Sequence, residues 1–189
     1  MGRGAETTVP GPVLVTAVER ALLDHPGVLE AVVLPGRAGA DDNVVGVVVV
    51  LGEMSGVLDI REDLRTALEL AGHQAEPAVL AVARLPLDPI GPIEELAGPF
   101  GLSRHEPPGS DLEADLAARL ARLLARPRVG VLDDFVDLGG DSLTAVTFLN
   151  AVQAAYEVPV SLVELFSAGT VREIARLLAD RLATSHRPG

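Results

Sequence analysis

The chain has 189 residues, 48% of them hydrophobic, and a formal net charge of −12 at pH 7. It contains no cysteine, which excludes disulfides and thiolate nucleophiles, and all 15 basic residues are arginine, which excludes lysine-dependent chemistry. The negative charge opposes binding to nucleic acid and favours partners with basic docking patches.

The start of the chain, Met1 to Glu6, lacks the apolar core of a signal peptide. No apolar run approaches the ~20 residues needed to span a bilayer. We therefore expect a cytoplasmic protein without a membrane segment. Its length fits one or two domains, each with a core of its own.

The first half of the chain alternates between helical and strand-like patterns. The predicted elements are a helix at 15–24, strands at 31–34 and 43–51, a helix at 60–70 and a strand at 78–85. These elements predict an α+β subdomain, a small sheet with helices, over residues 9–100.

Two stretches of this half, 19–34 and 85–93, resemble the small C-terminal subdomain of adenylation enzymes. In that family a glycine and a lysine follow the last strand, and the lysine contacts carboxylate and phosphate during adenylate formation. Here Gly91 aligns with the glycine and Pro92 with the lysine. Because proline has no charge and no donor, the resemblance implies a catalytically silent subdomain. The large ATP-binding subdomain of that family is also not in this sequence, so we expect no enzymatic activity.

Residues 101–110 combine proline, glycine and polar residues without periodicity, and we expect a linker there. Residues 111–185 then contain four segments with helical patterns. A leucine-rich helix is predicted at 111–124, a helix beginning at Ser142 with a buried stripe, and two later helices that begin at capping boxes, Ser161 to Glu164 and Thr170 to Glu173. Together they predict an all-α four-helix bundle.

The loop at 133–141 leads into the helix that begins at Ser142. Two glycines, Gly139 and Gly140, permit a sharp turn, and Asp141 can cap the helix. Ser142 would then present an exposed hydroxyl beside unpaired amides and the positive end of a helix dipole. That field favours a phosphate ester.

This region resembles the thiolation, or peptidyl carrier, domains of nonribosomal peptide synthetases, over roughly residues 111–184. Their signature reads Asp-x-Phe-Phe-x-Leu-Gly-Gly-x-Ser-Leu. Asp141 fills the variable position before the serine, and Val136 replaces the second aromatic residue. The matching residues are Asp134, Phe135, Leu138, Gly139, Gly140, Ser142 and Leu143.

The resemblance implies that Ser142 bears a 4'-phosphopantetheine arm, which a phosphopantetheinyl transferase moves from coenzyme A. A separate adenylation enzyme would load the arm in trans with an aminoacyl or acyl thioester. A condensation or tailoring enzyme would then receive the cargo. For residues 9–100 two hypotheses stay open: a remnant that stabilises the carrier or docks on a partner, and an inert fold left after gene truncation.

The sequence around Ser142 also fits other functions. Residues 140–143 also spell the nucleophile block of an esterase family, but His186 lacks the aspartate that this family places three residues before its base. An acyl carrier of polyketide or fatty acid chemistry and an unmodified interaction module stay open. No metal site is predicted, because the histidines lack ligand spacing and Phe135 occupies a position that an EF-hand loop reserves for an oxygen ligand.

Apolar residues surround the serine in the predicted helix. Leu143 and Val146 would lie on its outer face and form a partner-docking surface, although isolated surface aliphatics are an alternative. Four aromatic residues belong to this half of the chain, and we expect most of them in the core. They are Phe135, Phe148, Tyr156 and Phe166.

Overall fold

The structure is a computed structural model that describes residues 12–34, 44–52, 55–85, 93 and 101–185. The chain forms two compact units, Met1–Arg104 and His105–Gly189. The division falls inside the stretch expected to be a linker. The finer boundaries, 9–100, 101–110 and 111–185, stay a prediction.

The first unit has a three-stranded sheet and two helices among its described residues. The elements are α1 (Pro12–Leu23), β1 (Val28–Leu34), β2 (Val44–Leu51), α2 (Val57–Leu70) and β3 (Glu76–Ala81). The strand order is β1-β2-β3, with β2 antiparallel to β1 and parallel to β3. Val48 of β2 pairs with Val32 of β1 and with Leu80 of β3.

The central strand explains why this unit has a core on both faces of its sheet. The β2 sequence is almost entirely valine, as expected for a strand covered on both sides. Successive side chains point to opposite faces, so Val47 and Val49 pack with the helix residues Val18 and Leu64. Val48 packs on the other face with Ile93 and its neighbours.

Element types in this unit match the sequence expectation, but the ends of the elements differ. The last strand ends at Ala81 rather than at residue 85. Leu64 and Leu68 are buried, whereas Leu70 is 86% exposed. Leu70 lies only two residues beyond Leu68, and a separation of two residues places side chains on different faces of a helix.

The second unit is a bundle of four described helices. They are α3 (Asp111–Leu123), α4 (Ser142–Tyr156), α5 (Leu162–Ala168) and α6 (Val171–Ser185). Helix α3 packs against α4 and α6, and α5 packs against both α4 and α6. The predicted stripes are buried at Leu116 and Leu120 of α3 and along α4 at Ala145, Phe148, Leu149 and Val152.

Side-chain caps define where these helices begin. Ser110 accepts the Glu113 N–H at the start of α3. Ser161 and Glu164 form the predicted reciprocal capping box before α5. Before α6 only half of the predicted box forms. Thr170 accepts the Glu173 N–H, but the N–H of Thr170 itself donates to the Ala168 carbonyl.

The predicted fold class is therefore confirmed: an α+β N-terminal unit is followed by an all-α four-helix bundle. In the part of the chain that the structure describes, no helix is both long enough and apolar enough to cross a membrane.

One polar contact ties the ends of α3 and α4 together and makes the bundle sensitive to acid. The Tyr156 hydroxyl donates to Asp115 Oδ2 at 2.7 Å, and Arg119 Nε donates to the same oxygen. The hydrogen bond from Arg119 is the main reason that the pKa of Asp115 lies below its usual value, and burial with this contact raises the pKa of Tyr156 to about 12.

A carboxyl group whose pKa is lowered by folding stabilises the fold while it is ionised. We expect this contribution to be present above the usual aspartate pKa of 3.8 and to be lost as the pH falls below it. Asp115→Asn should weaken the dependence of the unfolding free energy on pH between neutral and acid conditions. Urea titrations at several pH values measure this, and the same slope in the variant as in the wild type would contradict it.

Candidate functional site at the start of helix α4

The loop from α3 to α4 is held against the junction of α5 and α6 by backbone hydrogen bonds. The Phe135 N–H donates to the Gly169 carbonyl at 2.8 Å, and the Arg172 N–H donates to the Val131 carbonyl at 3.0 Å. The Phe135 side chain is fully buried. The loop is therefore a fixed part of the bundle at both of these points.

The acidic residues of the loop accept backbone hydrogen bonds. Asp133 is buried, and its Oδ2 accepts the Gly130 N–H at 2.8 Å. Asp134 Oδ1 accepts the N–H groups of Val136 and Asp137, at 2.8 and 3.3 Å. These are side-chain turns of the kind that aspartate favours. Burial, and then the Asp134 and Asp133 carboxylates, raise the pKa of Asp137.

No group of three or more potential metal ligands occurs among the described residues. The carboxylates of Asp133 and Asp134 are instead used to shape the loop.

The two glycines are required for different physical reasons. Gly139 has φ of +95°, in the left-handed region that glycine enters at little cost. Gly140 lies directly against Phe135: a Cβ atom on Gly140 would be 2.4 Å from the Phe135 ring and 2.5 Å from its carbonyl oxygen. That carbonyl also accepts the Gly140 N–H at 2.9 Å. Gly139 therefore supplies the backbone conformation of the turn, and Gly140 leaves room for Phe135.

Asp141 and Thr144 fix the first turn of α4. Asp141 Oδ1 accepts the Thr144 N–H at 2.8 Å, and Thr144 Oγ1 accepts the Asp141 N–H at 2.8 Å. The first of these bonds is the main reason that the pKa of Asp141 is lowered. The cap was expected from the sequence, but its reciprocal half was not. The signal was available as an aspartate followed three residues later by a hydroxyl.

Ser142 is the first residue of α4, directly after the cap, and it is exposed. Within the described residues its hydroxyl makes no hydrogen bond, so no general base contacts it. His186, the residue weighed as an esterase base, lies outside the described residues. The structure thus presents a primary hydroxyl at the positive end of a helix, which is a suitable place for a phosphodiester.

The surroundings of Ser142 are apolar and exposed. Leu143 is 75% exposed and Val146 is 42% exposed, as expected for the outer face of α4. Phe166 of α5 is 41% exposed and is thus not one of the aromatic residues of the core; its ring meets Phe135 edge-on at 5.7 Å. The short helix α5 buries Leu165 and leaves the adjacent residue at the surface.

The other aromatic residues follow the expectation more closely. Phe135 and Phe148 are buried, and Tyr156 is half-buried with its hydroxyl on Asp115. In the first unit, Pro92, the position of the lost lysine, lies outside the described residues. Its neighbour Ile93 is fully buried in the core around Val48.

Comparison with known proteins agrees with this geometry. The family described as "Phosphopantetheine attachment site" matches residues 114–178, a stretch that contains Ser142. Tyrocidine synthase 3 of Brevibacillus parabrevis is 33% identical over 175 residues, which cover 89% of this chain and 3% of that protein. The match therefore extends over the first unit as well. The chain itself spans only a few per cent of the length of such curated relatives.

Isolated carrier proteins of known structure also match. BlmI, a type-II acyl carrier protein of Streptomyces verticillus involved in bleomycin biosynthesis, is 34% identical over 38% of this chain and 86% of that one, with a TM-score of 0.37. A peptidyl carrier protein solved with the phosphopantetheine transferase Sfp and coenzyme A is 31% identical over 41% of this chain and 100% of that one, with a TM-score of 0.40. The family match decides the assignment: residues 114–178 form a domain of the phosphopantetheine attachment-site family, a peptidyl carrier domain, in a chain that is similar to nonribosomal peptide synthetases such as tyrocidine synthase 3.

Proposed function

We propose that this protein is a carrier in nonribosomal peptide biosynthesis and that 4'-phosphopantetheine is attached at Ser142. One observation carries the proposal: an exposed serine hydroxyl opens helix α4 behind the Gly139–Gly140 turn, inside the stretch that matches the attachment-site family. The positive helix end suits the negative charge of the phosphodiester. The bound arm supplies the thiol that a chain without cysteine lacks.

The protein's own contribution to the modification is positional. Ser142 Oγ attacks the pyrophosphate of coenzyme A, a new P–O bond forms at the serine, and adenosine 3',5'-bisphosphate leaves. The transferase must accept the serine proton, because no described side chain hydrogen-bonds the hydroxyl. Asp141 is engaged with Thr144 and holds the helix start. The loop thus delivers the nucleophile, and the partner supplies base and metal.

The carrier acts through three classes of partner. A phosphopantetheinyl transferase installs the arm, a separate adenylation enzyme loads it in trans with an aminoacyl or acyl group, and a condensation or tailoring enzyme receives the thioester. The protein contributes no thioester chemistry. The first unit is proposed to be catalytically silent, because Pro92 occupies the position at which the resembling family has lysine.

Intact mass is the direct test of the attachment. Incubation with coenzyme A, magnesium and a broad-specificity phosphopantetheinyl transferase should add the mass of one phosphopantetheine to the wild type and none to Ser142→Ala. If both folded proteins keep their mass, the carrier function is wrong and an unmodified interaction module takes its place.

The contact between Gly140 and Phe135 predicts the effect of a single methyl group. Gly140→Ala should lower the unfolding free energy by about 1–3 kcal/mol, because the new Cβ must displace the ring or the backbone of Phe135. The transferase should also modify this variant more slowly, since the helix start shifts. Gly139→Asn is the matched control: no atom lies within 4 Å of a Cβ there, so this variant has only the strain of the backbone conformation at φ of +95°. Equal stabilities of the two variants would contradict the argument.

The docking role of Leu143 and Val146 has its own test. Val146→Asp should raise the KM of the loading adenylation enzyme severalfold and leave the unfolding free energy within about 0.5 kcal/mol, because the side chain is exposed. Leu70→Asp makes a comparable change at an exposed leucine of the first unit and should alter neither quantity. An unchanged KM in Val146→Asp would remove this residue from the docking surface.

The role of the first unit is tested by deletion, and the structure fixes where to cut. The Glu106 carbonyl accepts the Val131 N–H at 2.9 Å, and the Glu106 side chain pairs with Arg172. A truncated carrier must therefore begin at His105 or earlier. If the first unit docks on the adenylation enzyme, the carrier of residues 105–189 should be loaded with a severalfold higher KM. The same KM in both forms would contradict the docking hypothesis.

A further inference from the structure

A groove runs between α3 and α4. Its volume is about 270 Å³, and it is lined by Arg119, Arg122, Leu123, Thr147, Phe148 and Ala151. The floor is apolar, since Phe148 is buried, and two guanidinium groups stand along one wall. The groove belongs entirely to the second unit.

Contacts along the two helices show how the groove is oriented. Near one end the Tyr156 hydroxyl meets Asp115, and near the other Arg126 Nε donates to the Leu138 carbonyl at 3.2 Å. The helices are therefore antiparallel, and the second end leads to the loop before Ser142. Leu143 is exposed beside Ser142, and its carbonyl accepts a hydrogen bond from the Thr147 hydroxyl at 2.9 Å. Thr147, which lines the groove, therefore lies one helical turn from the exposed Leu143.

The charge of this region is opposite to that of the whole protein. The chain has a net charge of −12, yet residues 116–132 contain four arginines and no acidic residue. Helix α4 has no charged residue from Leu143 to Tyr156. A positively charged wall therefore borders a neutral one, and carboxylates of a partner are attracted to this groove in preference to basic groups.

The arginines of the groove differ in what they already bind. Arg119 is paired with Asp115, and Arg126 donates to Leu138. Arg122 is exposed, and within the described residues its guanidinium makes no hydrogen bond, although its charge helps to lower the pKa of Asp115. It therefore has five donors available in a planar arrangement that matches a carboxylate.

We infer that this groove is a second docking surface of the carrier, and that its occupant is an acidic amphipathic helix of a partner protein. Apolar side chains of that helix lie over Leu123, Phe148 and Ala151, and a glutamate or aspartate pairs with Arg122. The inference rests on the proposed function in one respect: a partner that acts at Ser142 and contacts Leu143 extends along α4 into the groove. Arg122 then distinguishes acidic partners from others.

The test uses the full-length protein and two synthetic peptides. The probe is a capped amphipathic helix of glutamate, leucine and alanine, and the control peptide has lysine at every glutamate position. We expect the acidic peptide to shift the backbone NMR signals of Arg122, Thr147 and Ala151 and the lysine peptide to leave them in place. No shift there, or equal shifts with both peptides, overturns the inference.

Matched protein variants isolate the role of Arg122. Arg122→Glu should weaken binding of the acidic peptide on the order of tenfold, and Arg122→Lys should keep part of the affinity. Arg176→Glu makes the same charge change on an exposed residue of α6 and should bind as the wild type does. Equal affinities of Arg122→Glu and Arg176→Glu overturn the inference.

Two other occupants have their own signatures. If inorganic phosphate alone shifts the same signals, the groove is a small-anion site; if the signals move with protein concentration in the absence of peptide, a second copy fills it. Either result overturns the assignment to a partner helix. Because peptide binding does not require modification of Ser142, a failure here is separate from a failure of the carrier function, which the intact mass decides.

Discussion

The contact between Gly140 and Phe135 determines the geometry of the site. The Phe135 side chain is buried, its N–H donates to the Gly169 carbonyl, and its own carbonyl accepts the Gly140 N–H. Phe135 thereby links the loop before α4 to the α5–α6 junction. It also links the Gly139–Gly140 turn to that loop. Any side chain at residue 140 would occupy the space of the ring. The position of the helix start, and with it of Ser142, follows from one aromatic residue and the absence of one methyl group.

Sequence reasoning predicted this site well because its determinants are local. The glycine pair, the capping aspartate and the serine are adjacent, and each imposes its geometry through backbone angles or hydrogen bonds a few residues away. The distance of 2.4 Å between a Gly140 Cβ and the Phe135 ring could not be predicted, because it depends on how the loop folds back on itself. The sequence indicated that residue 140 must be glycine, but it did not indicate that the Phe135 ring is the group that leaves no room for a side chain.

The sequence pattern does not determine exposure, which is set by packing between elements. Leu70 continues the apolar composition of α2 and Phe166 that of α5, yet both are at the surface. The pattern of one helix indicates which face is apolar, whereas the number of neighbours decides how wide a face is covered. Helix α5 has seven residues and buries only Leu165. An aromatic residue beside that position therefore remains in contact with solvent and, through Phe135, with the loop of the site.

Charge along α3 shows how stability and recognition can share the same residues. Its first turn carries Asp111 and Glu113 and its last turn Arg122, the order that the helix dipole favours. The dipole explains why arginines are concentrated at this end, without any partner. It does not explain an apolar groove beside them. Nor does it explain an Arg122 guanidinium with no described hydrogen bond next to an Arg119 that is paired with Asp115, which also accepts the Tyr156 hydroxyl. A surface arginine that interacted only with the helix dipole would not need an apolar groove beside it. The overall acidity of the chain predicts basic docking patches on its partners. In this groove the charges are reversed: the carrier is basic, and the partner is acidic.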